Sequence, residues 1–171
     1  MRLFFALWPP HQAALALSAW ARRVKHDLGA GGVSGPASNL HLTLAFLGEV
    51  DEARLPELRQ FPIWGDHHAL VLDEVGYWAR NSLLWAGPRE MPRALVDLAG
   101  RLHDLLGARG FHTEARPFAA HVTLLRKAKA LDEWPPLPGE LDWPVQDCVL
   151  ARSVRTRQGS VYEILQRYPL Q

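Results

Sequence analysis

The chain has 171 residues, 19 basic against 18 acidic, a formal net charge of +1 and 48% hydrophobic residues. Such a length and apolar content suit one compact domain over 1–171 with an ample core. The charge balance neither demands nor excludes a nucleic-acid partner, because a long phosphate run takes a clear basic excess while a single terminal phosphate needs only a local patch. The lone cysteine, Cys148, excludes an internal disulfide framework and a Cys-based metal or redox centre.

The opening apolar stretch RLFFAL (2–7) reads as a buried strand stopped by Pro9-Pro10. It is too short for a membrane span and unlike a signal peptide, so a cytoplasmic protein without membrane attachment is expected. From 11 to 28 the apolar residues Leu17, Trp20, Ala21, Val24 and Leu28 fall at helical spacing. A Gly-rich loop over 29–38 precedes a strand at 42–50, and 51–60 is a short helix interrupted by Pro56. Strands are predicted at 69–77 and 82–87 around the turn Ala79-Arg80-Asn81. A helix over 92–106 places Leu95, Leu98, Leu102, Leu105 and Leu106 on one face and stops at Gly107 or Gly110. A strand at 120–125, a Pro-rich connection and a hairpin of 146–155 with 160–167 complete the chain. The order strand–helix–strand occurs near 2–50 and again near 82–125. That repetition predicts an α+β protein of two similar halves built from mostly antiparallel sheet.

Two segments carry chemistry. Asn39-Leu40-His41-Leu42-Thr43-Leu44 and Ala119-Ala120-His121-Val122-Thr123-Leu124 each contain His-x-Thr-Leu with an apolar x. With 8 His in the chain, random placement gives only about 0.2 such triplets. Along a strand, His41 and Thr43 share one face while Leu42 and Leu44 share the other, and the second segment repeats this. One strand from each half, facing across a cleft, would unite two imidazoles with two hydroxyl donors and no carboxylate. Such a set suits displacement at phosphorus: a neutral imidazole accepts a proton from water and an imidazolium protonates the departing oxygen. Thr43 and Thr123 would donate hydrogen bonds to the non-bridging oxygens. With acid and base both supplied by the protein, neither a metal nor a cofactor is expected.

NLHLTLAFLGEV (39–50) and RPFAAHVTLLR (116–126) together resemble the RNA 2',3'-cyclic phosphodiesterases, also called the 2'-5' RNA ligase family, of the 2H phosphoesterase superfamily. RLFFAL (2–7) fits that family's first strand, and Ser153, Gly159, Tyr162 and Leu165 fit its closing hairpin. The resemblance implies a bilobal fold with helices outside and a central cleft. It implies hydrolysis of 2',3'-cyclic phosphates on RNA ends or nucleotides to 2'-phosphomonoesters, with a possible reverse 2'-5' ligation. It also implies the roles: His41 as proton donor and His121 as proton acceptor. Ala120 stands where the family often has Pro. Arg126 matches a family arginine near the substrate, although strict alternation from His121 puts it on the wrong face. On the first strand, Phe4 or Phe5, with Phe5 the chosen candidate, would stack on a base, with core packing as the equal alternative. A monomer is expected.

Other features carry less. His67-His68 are adjacent and point apart on a strand, His103 reads as a packing or surface residue, and Gly29–Gly35 lacks a P-loop ending. Arg152, Arg155 and Arg157 read as a solvated hairpin face. Two alternatives stay open: a phosphodiesterase for small cyclic nucleotides such as ADP-ribose cyclic phosphate, and a non-catalytic module that binds a nucleotide or RNA end.

Overall fold

In chain order the elements are β1 (Arg2–Leu7), α1 (His11–His26), β2 (Leu42–Glu49), α2 (Leu55–Arg59), β3 (His68–Val71), β4 (Glu74–Trp78), β5 (Leu83–Gly87), α3 (Arg93–Ala108), β6 (Val122–Leu125), β7 (Asp142–Val145), β8 (Asp147–Thr156) and β9 (Gly159–Pro169). This computed structural model describes residues 1–139 and 141–171. Seven strands form one antiparallel sheet in the order β4-β5-β6-β2-β1-β8-β9, and β3 pairs with β7 apart from it. The α+β class expected from the sequence is observed, with two similar units, β1-α1-β2 and β5-α3-β6, meeting at the centre of the large sheet.

That meeting is narrow. β2 and β6 share a single residue pair, Leu42 with Val122, which is the first residue of each strand. Because the two run antiparallel, they leave this point in opposite directions, each into its own half of the sheet. Leu42, Leu44, Val122 and Leu124 are buried toward the helices. α1 lies against β6 and α3 against β2, so each half's helix supports the motif strand of the other. His103 on α3 adds a contact from its Nε2 to the Leu44 carbonyl at 3.2 Å.

Several local expectations change. The strand foreseen over 69–77 divides at Asp73, whose N–H donates to the Gly87 carbonyl at 3.1 Å while its carboxylate accepts the Arg89 N–H at 2.7 Å. β3 and β4 therefore join different partners. β7 lay hidden in the Pro-rich connection. Among the described residues it pairs only with β3, which leaves it an edge strand, where Pro144 is tolerated. α1 ends at His26 and leaves Leu28 exposed, and α3 runs past Gly107 to Ala108. Among the described residues no helix is long and apolar enough to cross a membrane.

Gly76 on β4 lies under the indole of its cross-strand neighbour Trp85, and a Cβ there would collide with that ring. Gly76→Ala is therefore expected to destabilise the fold by roughly 1–3 kcal/mol through overpacking. A thermal melt should show a midpoint lower by about 3–10 °C; an unchanged midpoint would mean that Trp85 moves aside freely.

Candidate active site

His41 and His121 each immediately precede a motif strand, and Thr43 and Thr123 are the second residues of those strands. All four are half-buried, in contrast to the aliphatic residues alternating with them. Continued one step from the Leu42–Val122 pair, the antiparallel register sets His41 across from Thr123 and Thr43 across from His121. The two motifs thus stand side by side in one sheet, related by an approximate twofold turn, where the sequence suggested strands facing across a gap.

The imidazoles are held alike. Nδ1 of His41 lies 2.7 Å from the Asn39 carbonyl, and Nδ1 of His121 lies 2.8 Å from the Ala119 carbonyl. A carbonyl oxygen only accepts, so each Nδ1 carries hydrogen and donates it. That assigns the same tautomer to both rings and leaves each Nε2 to exchange a proton with a ligand.

Their surroundings differ. His41 sits among three aromatic rings: Trp8 stacked at 5.0 Å, Phe4 tilted at 4.9 Å and Tyr162 edge-on at 4.8 Å. His121 has one such neighbour, Trp78, edge-on at 4.6 Å. Burial, with the Arg126 and His121 charges adding to it, lowers the His41 pKa to about 4 despite the hydrogen bond to Asn39. Burial likewise lowers that of His121, aided by Arg126 and Arg116 and opposed by the Ala119 bond and Glu114.

A cleft of about 820 Å³ opens over this centre. Thr43, His121, Thr123 and Arg126 line it, while His41 stands back from its wall. Arg2, Arg80 and Arg116 line it as well, and among the described residues Glu114 is its one carboxylate.

Arg126 reaches the cleft through a β-bulge. Trp85 pairs with Thr123 and Leu84 with Leu125, leaving Leu124 as an extra residue on β6. The bulge shifts the alternation by one, so Leu124 and Leu125 are both buried and Arg126 turns to the cleft. Phe5 must be reassigned. It is fully buried among Leu3, Leu7 and the core, with Phe61 and Tyr168 as ring neighbours, and cannot meet a base. Phe4, one residue earlier, takes the site face beside His41. Sequence reasoning missed Trp8 and Trp78 and knew Tyr162 only as part of a strand pattern. Cys148 is buried, its thiol pushed up to about 12 by burial, so it offers no thiolate. Among the described residues no three His, Cys, Asp or Glu side chains group as metal donors.

The chain as a whole is similar to known proteins. The family model described as LigT like Phosphoesterase matches residues 7–85. The RNA 2',3'-cyclic phosphodiesterase of Escherichia coli K12 is 35% identical, over 99% of this chain and 96% of that protein. The protein of the same name from Thermus thermophilus is 30% identical, over 99% of this chain and 90% of that protein. A crystal structure of E. coli LigT complexed with 3'-AMP matches with a TM-score of 0.89 at 35% identity, covering 99% of this chain and 98% of that one.

Proposed function

The chain belongs to the LigT-like phosphoesterase family, and from that premise we propose that it hydrolyses 2',3'-cyclic phosphates at RNA ends to 2'-phosphomonoesters. The observation that carries this reading is the junction of the two motif strands at Leu42–Val122, with both imidazoles in one tautomer beside two hydroxyls and Arg126.

The reaction runs as follows. The phosphate lies over the junction, its non-bridging oxygens accepting from Thr43 and Thr123 and facing the Arg126 guanidinium. His121 lines the open cleft, where water arrives, and its Nε2 takes the water proton as the oxygen attacks phosphorus. The P–O3' bond breaks in line, and His41 Nε2–H gives its proton to O3'. Each histidine ends in the other's starting state, and exchange with solvent resets the pair. A 5'-hydroxyl in place of water would give a 2'-5' phosphodiester by the same steps. No step calls for a metal ion.

The lowered pKa values set the pH dependence. Activity requires His121 neutral and His41 protonated. It is lost as pH falls through the base's pKa and as pH rises through the acid's. Both lie below 6.5 in the free protein, and that of His41 lies near 4. The kcat/KM profile is therefore a bell centred on the acid side of 6.5. A bound phosphate anion offsets the Arg126 charge and favours both imidazolium forms, so the kcat profile should sit at higher pH than that of kcat/KM. The limbs belong to the pair, not to single residues. A kcat/KM optimum above pH 7 would contradict this account.

RNA ends are favoured over mononucleotides by the cleft. Its volume of about 820 Å³ and its Arg2, Arg80, Arg116 and Arg126 offer more positive charge than one phosphate uses. The other substrate choice, small cyclic nucleotides, draws support from the mononucleotide bound to the E. coli relative. A comparison of kcat/KM on a cyclic-phosphate-ended oligonucleotide with that on 2',3'-cyclic AMP separates the two. The RNA reading predicts a higher value for the oligonucleotide that falls with salt and drops in an Arg80→Glu/Arg116→Glu variant. Equal values, both indifferent to that variant, would favour the small substrate.

A further inference from the structure

We propose that Trp8, Asn39 and Tyr162 are positioning residues for His41, through which the β8–β9 hairpin takes part in proton delivery to the leaving oxygen. The inference rests on the reading of His41 as the acid and adds to it residues that touch no reacting atom.

The carbonyl that fixes His41 Nδ1 belongs to Asn39, the last residue of a 3-10 turn at Ala37–Asn39. Loop 29–38 carries five of the chain's glycines and prolines on its way there, and a short turn of this kind does not hold a carbonyl still by itself. Two side chains pin it. The Asn39 amide Nδ2 donates to the Ser160 carbonyl at 2.8 Å, reaching across 121 residues to the start of β9. The Trp8 indole Nε1 donates to the Ser38 carbonyl at 2.9 Å. Two residues beyond Ser160, Tyr162 sets its ring edge against His41, and Trp8 lays its face on the same imidazole. Phe4 contacts all three rings and closes the box from β1.

The imidazole is thus fixed at Nδ1 and by the rings of Trp8 and Tyr162, on elements from both chain ends. His121 lacks such a box, with one ring and one carbonyl. The difference fits the two roles. A base that meets mobile water tolerates some play, whereas an acid must hold Nε2–H in line with a single oxygen. The box also keeps water from His41. The charges that bear on the ring are Arg126 and His121; none of the three positioning side chains is charged, so their effect on its titration is exerted through packing and solvent access.

The test combines histidine NMR titration of the free protein with steady-state kinetics on 2',3'-cyclic AMP. Trp8→Ala and Asn39→Ala should each raise the His41 pKa from about 4 toward 6.5 as water enters, leaving His121 in place. Each should lower kcat by roughly 10- to 100-fold with KM little changed, the effect of a misplaced catalytic group. Tyr162→Phe keeps its ring against His41 and should retain most of kcat, whereas Trp8→Phe keeps a ring but loses the bond to Ser38 and should fall between wild type and Trp8→Ala. A His41 titration that stays near its starting value in both alanine variants, with kcat within twofold of wild type, would overturn the proposal. Trp8→Ala removes a large side chain, so Asn39→Ala, which deletes one surface hydrogen bond, keeps the test valid should the former fold poorly. His41→Ala runs alongside. Full activity in that variant would defeat the acid assignment itself, while the titrations would still report whether the box holds the ring.

Discussion

His121→Ala and His41→Ala should each lower kcat on a 2',3'-cyclic phosphate by about 10²–10⁴-fold, the usual contribution of a positioned acid or base. In the proposed mechanism the two histidines act in one proton circuit, so the double variant should lose little more than the worse single one. The roles separate with a phosphodiester whose leaving group is a nitrophenolate. That oxygen departs without a proton, so His41→Ala should retain most of its turnover on such a substrate, while His121→Ala should remain impaired. The reverse pattern would exchange the roles. Both rings are only half-buried, and neither variant should unfold the protein. A loss of less than fivefold in either would remove that residue from the chemistry.

Thr43→Val and Thr123→Val should each reduce kcat by roughly 10²–10³-fold, the range found for removing one preorganised donor to a transition-state oxyanion. Valine keeps the β-branched shape that suits a strand, so the change isolates the hydroxyl. KM should move less than kcat, because charge on the non-bridging oxygens matters most as the P–O3' bond breaks. The twofold relation of the motifs predicts losses of similar size at the two positions. A silent substitution at one of them would mean that its hydroxyl does not reach the phosphate.

Much of this site was legible in the residues. Period-two alternation alone placed His41 and Thr43 opposite Leu42 and Leu44, and the repeated His-x-Thr-Leu pointed to two related strands. What escaped has physical causes. Arg126 faces the cleft only because Leu124 is bulged, and nothing in VTLLR distinguishes a bulged leucine from a paired one. Phe4 and Phe5 could not be told apart because β1 is buried on both faces, by helices on one and by the small cluster of Phe4, Ala6, Val149 and Ala151 on the other. A strand covered twice shows no alternation. Trp8 and Tyr162 lie 154 positions apart, and only the pairing of β1 with β8 and β8 with β9 brings both to His41. The expected strand over 69–77 failed at Asp73, a residue whose carboxylate found a backbone N–H 16 positions away.

Hydrolysis of a cyclic phosphate by protein groups alone, as proposed, cleaves at O3' and leaves the phosphate on O2'. Its most direct test is incubation of an RNA oligonucleotide ending in a 2',3'-cyclic phosphate with the protein in EDTA, followed by determination of where the product phosphate sits. The expected result is complete turnover to a 2'-phosphate. A 3'-phosphate product, or turnover that returns only when a divalent metal is added, would contradict it.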